Sequence, residues 1–189
     1  MNARPAFFAD PAAVGTGSAA AAAEHTCAQL LQRLRQAAAA TDEDTLPLCD
    51  AATAVLCGLP AGVALPQRIE CLLVLAQVHH QADRAPAALA PAREAVGLAR
   101  TQGDGALLRR SLTFLGVVEM ENGNLPAATA GLSEALQEAR ELPAADEAAP
   151  VWNNLGLALQ RAALNGEAMQ CYRRALELSQ HSQRFAVVH

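Results

Sequence analysis

From residue 72 onward the chain matches itself at a spacing of 40 residues, and this self-similarity restricts the fold more than any other feature. Leu75-Ala76, Leu115-Gly116 and Leu155-Gly156 fall in register. So do Ala88, Ala128 and Ala168, then Ala95, Ala135 and Ala175. Leu72, Leu112 and Trp152 make a further column, as do Ala92, Leu132 and Tyr172, and Val96, Leu136 and Leu176. An Ala-rich chain produces one or two Ala columns by accident, but not this many in a single register.

The columns have the spacing of two packed helices. Leu72, Leu75 and Ala76, with their equivalents, follow the i, i+3, i+4 pattern of one buried helical face. Ala88, Ala92 and Ala95 recur at i, i+4, i+7, a second stripe on a second helix. The small residue at 76, 116 and 156 lets the second helix approach closely. Asn122-Gly123-Asn124 and Asn165-Gly166 mark the turns between the two helices. Pro86 and Pro126 fit the first turn of the second helix, where a missing N–H costs little. Pro91 lies deeper in that helix, where it is expected to remove one backbone hydrogen bond and bend the axis.

Composition agrees with an all-α chain. Hydrophobic residues make up 52% and aromatic residues 3%, so the core is built from Ala, Leu and Val, with little Ile, Thr or aromatic content to favour a sheet. The formal net charge is −5 and all 14 basic residues are Arg. An acidic chain with no basic cluster is a poor match for a phosphate backbone, so no nucleic-acid partner is expected. The Lys-free, Ala- and Arg-rich usage resembles the bias of a GC-rich bacterial genome. No apolar stretch reaches the roughly 20 residues that span a bilayer, so no membrane role is expected. The run Ala19 to Ala23 lacks the Leu and Val of a signal peptide. The five cysteines, Cys27, Cys49, Cys57, Cys71 and Cys171, are odd in number and lack C-x-x-C spacing, which reads as small core hydrophobes in a reducing, cytoplasmic setting.

Trp152-x2-Leu155-Gly156, followed by Ala168-x3-Tyr172-x2-Ala175, resembles the tetratricopeptide repeat motif. The resemblance covers residues 66–181 as three repeats, 66–104, 105–144 and 145–181. The period is longer than the usual one of about 34 residues, and Arg100, Arg140 and Gln180 stand where the motif usually closes with Pro. Longer helices account for both departures and resemble the extended repeats of kinesin light chain and of bacterial regulatory proteins. The resemblance implies an all-α, right-handed superhelical solenoid of antiparallel helix pairs. It also implies a concave groove lined by the first helix of each repeat. The groove positions are Leu73, Val74, Gln77, His80 and Gln81 in the first repeat. In the second they are Arg110, Thr113, Phe114, Val117 and Glu121, and in the third Asn153, Asn154, Leu157, Gln160 and Arg161. An apolar floor of Val74, Phe114, Val117 and Leu157, flanked by amides and Arg, suits a peptide or a helical segment of a partner protein. Asn154 matches the position at which peptide-binding members carry an Asn that bonds ligand backbone. Such repeats also resemble the sensory or regulatory arms of larger bacterial signalling proteins.

Outside the three repeats, residues 1–20 read as a disordered tail. Residues 21–62 read as a degenerate leading helix pair, with helices at Cys27–Ala40 and Leu46–Leu56 and a linker at Gly58–Gly62. Residues 182–189, containing Phe185, Ala186, Val187 and Val188, read as the start of a further first helix. Solenoids cap their last exposed face with polar residues. An apolar stub there therefore suggests either a longer parent chain or self-assembly into a homo-oligomer through the C-terminal end.

No catalytic, cofactor or metal constellation stands out, and the chain is not expected to be an enzyme. His79 and His80 are adjacent, so they point about 100° apart rather than sharing a helix face. Gly15-Thr16-Gly17-Ser18 lacks the Lys and the preceding strand of a phosphate loop. Cys171, beside Arg173 and Arg174, has charged neighbours able to activate a thiol, although its spacing is that of a structural cysteine.

Overall fold

The computed structural model describes residues 16–40, 45–60, 62–140 and 148–186. Among them are eight α-helices and no strand: α1 (Thr16–Ala40), α2 (Thr45–Gly58), α3 (Leu65–Gln81), α4 (Ala85–Gln102), α5 (Gly105–Glu121), α6 (Leu125–Arg140), α7 (Ala148–Arg161) and α8 (Asn165–Ala186). Helices α3–α4, α5–α6 and α7–α8 are three successive hairpins, and each second helix packs against the first helix of the next, giving an all-α solenoid. The repeat columns form the seam. Ala88, Ala92, Ala95, Ala128, Leu132 and Ala135 are all 0% exposed, so the small second-helix stripe lies in the core.

Close approach within each hairpin follows from size complementarity at one pair of columns. A Cβ added at Gly116 would lie 2.6 Å from Leu132 Cγ, and one at Gly156 would lie 2.7 Å from Tyr172 Cε1. In the first hairpin the equivalent residues are Ala76 and Ala92, both fully buried. A glycine therefore accompanies each large partner, and a pair of alanines fills the same gap where no large side chain is present.

The three hairpin turns share one hydrogen-bond pattern. Arg84 N donates to His79 O at 2.9 Å and Asp83 N to His80 O at 3.1 Å. The same pair of bonds recurs from Asn124 and Gly123, and again from Leu164 and Ala163. This is the Schellman closure, which needs a left-handed residue just past the helix end. That residue is Asp83 (φ 54), Gly123 (φ 78) or Ala163 (φ 62). The expected third turn at Asn165-Gly166 is thus corrected: the chain reverses at Ala163, 40 residues after Gly123, and Asn165-Gly166 opens α8. Asp104 caps α5, its Oδ1 accepting from Ala106 N at 2.9 Å and Leu107 N at 3.0 Å. Helix α4 runs through Pro91 without interruption.

Both ends differ from the sequence expectation. Helix α1 already begins at Thr16, inside the stretch read as a tail, because its stripe Ala23, Cys27, Leu30 and Leu34 supplies a continuous buried face. It lies along α3 more extensively than α2 does, and α1 and α2 touch each other less than the helices of any following hairpin. Cys71 Sγ donates to Cys27 O at 3.3 Å across the α1–α3 contact. At the other end, residues 182–186 continue α8 rather than beginning a new helix, since nothing breaks the helix after Gln180. Residues 187–189 of that expected stub lie outside the described residues.

Candidate groove between the first helices

Helices α3, α5 and α7 bring part of the expected groove together in one cleft of about 550 Å³. It is lined by Leu73 and Gln77 of α3, by Ala106, Leu107, Arg109, Arg110, Thr113 and Phe114 of α5, and by Pro150 and Val151 of α7. Its floor is mainly apolar, with Gln77 and Arg110 exposed at the edge. Arg109 is only 9% exposed. The Thr113 hydroxyl donates to Arg109 O at 2.7 Å.

Ion pairs fix the first helices relative to one another. Glu70 of α3 accepts from Arg35 of α1 at 3.2 Å and also from Arg110 of α5. Residues 70 and 110 are repeat equivalents, so the carboxylate and the guanidinium that meet there occupy the same position on successive first helices. Further along, His80 Nδ1 stands 2.6 Å from Glu121 Oε2. The His80 ring also meets Phe114 edge-on, with centroids 6.1 Å apart and planes at 82°.

Val74 is not part of an open floor. It is 5% exposed and belongs to the core formed with α1, as does Leu73, which reaches the cleft only by its edge. Helices α1 and α2 pack on α3 in addition to α4, so every residue from Cys71 to Ala76 is buried. A register argument confined to the repeats could not show that extra cover. Val117 is half-buried and lies outside the cleft. Asn153 is exposed, whereas Asn154 and Leu157 are half-buried, and Leu157 leans on the core. Arg161 is exposed, and its Nη1 reaches Met120 O at 3.4 Å. Gln160 Oε1 accepts from the Tyr172 hydroxyl at 2.7 Å, so it ties α7 to α8. Gln81 is exposed at the C-terminal end of α3. The structure therefore groups Leu73, Gln77, Arg110, Thr113 and Phe114, and leaves the α7 candidates and the His80–Glu121 pair outside this cleft. Ala106, Leu107, Arg109, Pro150 and Val151 were missed. Pro150 shares the column of Glu70 and Arg110, and that column was the available signal.

Among the described residues no group of three His, Cys, Asp or Glu side chains could hold a metal ion, and no helix is long and apolar enough to cross a membrane. All five cysteines are free thiols, and Cys57 alone of them is exposed. Burial, assisted by Glu167, pushes the Cys171 thiol above its ordinary value, so the flanking arginines do not activate it.

No protein-family model matches the sequence, and no curated protein matches it. Solved structures do. BtubC (BKLC) from P. vanneervenii superposes with a TM-score of 0.64 at 15% identity, covering 92% of this chain and 66% of that one. This chain therefore spans just under two thirds of BtubC. A structure of MamA gives a TM-score of 0.51 at 18% identity, covering 89% of this chain and 94% of that one. A second MamA structure gives 0.50 at 15% identity, with 86% and 95% covered. At such identities the likeness establishes the fold: a tetratricopeptide-like helical repeat.

Proposed function

We propose that this chain is a non-enzymatic protein-interaction scaffold that holds a peptide or a helical segment of a partner in the cleft between α3, α5 and α7. The observation that carries the reading is the cleft itself, about 550 Å³ with an apolar floor and an exposed amide and guanidinium at its edge. Leu107 and Phe114, both half-buried, offer an apolar anchor site, and Gln77 and Arg110 offer bonds to ligand backbone or carboxylate. The shared fold of BtubC and MamA is compatible with this reading. A cytoplasmic bacterial setting and a place as the regulatory arm of a larger signalling protein belong to the same proposal.

Selection from a displayed random-peptide library provides the test. Peptides enriched on the wild-type chain should bind the Gln77→Ala and Thr113→Ala variants at least fivefold more weakly, with melting temperatures unchanged. Phe114 is a poorer probe, because it is half-buried against the core and its truncation also lowers stability. Peptides that bind both variants as tightly as wild type would remove the cleft from the account.

A further inference from the structure

Cys27 and Cys71 meet where α1 lies on α3. Both are 0% exposed, and Cys71 Sγ donates to Cys27 O at 3.3 Å. The two thiols also stand within hydrogen-bond reach of each other. Ser111 and Val151, the repeat equivalents of Cys71, are buried as well, so position 71 belongs to the stripe of the first helix that faces the layer before it. For α3 that layer is α1, and a thiol stands on each side of the contact.

The pair is asymmetric. The Cys71 thiol donates to Cys27 when Cys27 ionises, and the Arg68 guanidinium adds to that effect. Together they outweigh burial and hold Cys27 below the ordinary thiol value. The same hydrogen bond, with burial, pushes Cys71 up, so Cys71 stays protonated. One thiol is thus a nucleophile and its neighbour a resolving thiol. Burial pushes Cys49 and Cys171 up, and neither gains such a donor. Access to the buried pair comes from local opening. Helix α1 touches α2 little and is held mainly by α3, so a transient lift of α1 uncovers both sulfurs together.

We propose that Cys27 and Cys71 are a reversible dithiol–disulfide modification site, oxidised by a hydroperoxide, that staples α1 to α3. The Cys27 thiolate attacks the peroxide O–O bond. One oxygen stays on sulfur as the sulfenic acid, and the other leaves as hydroxide and takes up the proton that Cys27 released. The Cys71 sulfur then attacks the sulfenyl sulfur, and its proton leaves with the hydroxyl as water. The two thiols lose two electrons, and hydrogen peroxide is reduced to two waters. The bond joins positions 44 apart in the chain and fixes the cover that α1 lays over Leu73 and Val74. It does not depend on the reading of the cleft between the first helices.

Hydrogen peroxide treatment of the reduced full chain tests this, followed by alkylation of remaining thiols, tryptic digestion without reductant and mass spectrometry. The expected product joins the peptide ending at Arg33 to Ile69–Arg84, lighter by two hydrogens than the two thiol peptides together, and it disappears with dithiothreitol. The oxidised chain should melt roughly 10 °C above the reduced one. Cys57→Ser should change neither result, because Cys57 lies on the exposed face of α2. In Cys71→Ala the reaction should stop at the sulfenic acid, so dimedone labels Cys27 there and not in the wild type. The mapping on the wild type needs no variant, so it decides the matter even where Cys71→Ala melts early. Recovery of Cys27 and Cys71 as alkylated thiols after Cys57 is fully oxidised would overturn the proposal. So would cross-links from either to Cys49 or Cys57, or a Cys27–Cys71 bond that forms only in urea.

Discussion

Two of the three hairpin turns hold an L-residue where only glycine is at ease. Ala163 has φ 62 and Asp83 has φ 54, while Gly123 fills the same position between them. Left-handed backbone costs an L-residue roughly 1–2 kcal/mol, and the greater chain entropy of glycine when unfolded offsets part of that. Ala163→Gly should therefore stabilise the chain by about 0.5–1 kcal/mol, read as a rise in denaturation midpoint at constant m-value. Gly116 and Gly156 are the opposite case, since a Cβ there meets Leu132 or Tyr172 at under 3 Å. Gly116→Ala should destabilise by about 1–3 kcal/mol through overpacking, and a compensating Leu132→Ala should restore part of the loss by recreating the Ala76–Ala92 pairing of the first hairpin. A double-mutant cycle in chemical denaturation checks this coupling.

His79 sets a pH dependence at the same scale. It is 8% exposed, and burial, reinforced by Arg84 and opposed by Asp50, holds its imidazole below the ordinary histidine value. Below about pH 6.5 the unfolded chain takes up this proton before the folded one does, so the unfolded state binds more protons and stability falls as pH falls. The contribution is fully present above that pH and is lost as pH drops through the folded value. His79→Gln should flatten the part of the melting-temperature profile that declines from pH 6.5 downward. An unchanged decline would assign it to other groups.

Among the elements, the helices inside the repeats were legible because each carries a buried stripe at helical spacing and its equivalents stand 40 residues away. The cap of α5 is also local. Asp104 satisfies two backbone N–H groups, and Asp104→Ala should cost about 1 kcal/mol, measurable by urea denaturation. Elements that lack a counterpart in the register were less legible. Helix α1 begins earlier than its sequence pattern indicates because its first turns are Thr, Gly, Ser and Ala, which carry no amphipathic signal until Ala23 and Cys27. Its position along α3 could not be read at all, because packing between helices distant in sequence leaves no periodic trace in either one. That contact is what buries Val74 and Leu73. At the third turn Asn165-Gly166 is the stronger local breaker, whereas the backbone reverses at Ala163, the position the repeat demands.

At the scale of the whole molecule, the solenoid makes each hairpin's neighbours its main source of stability. Ion pairs tie the layers beyond the apolar seam: Arg100 to Glu134 at 2.7 Å between α4 and α6, and Arg93 to buried Glu119 between α4 and α5. Glu119 Oε2 also accepts from Asn124 Nδ2 at 3.0 Å, linking the layer contact to the hairpin turn. The solenoid was legible from the columns, whereas only part of the groove was. Gln77, Arg110, Thr113 and Phe114 are legible from register, and Pro150 stands in the column of Arg110, while how closely the first turn of α7 approaches α3 depends on how far successive hairpins rotate, which spacing does not encode. If the first-helix cleft holds the partner, hydrogen exchange on adding a library-selected peptide should slow across α3, α5 and the first turn of α7 and stay unchanged in the outer helices α4, α6 and α8; protection confined to those outer helices would place binding elsewhere.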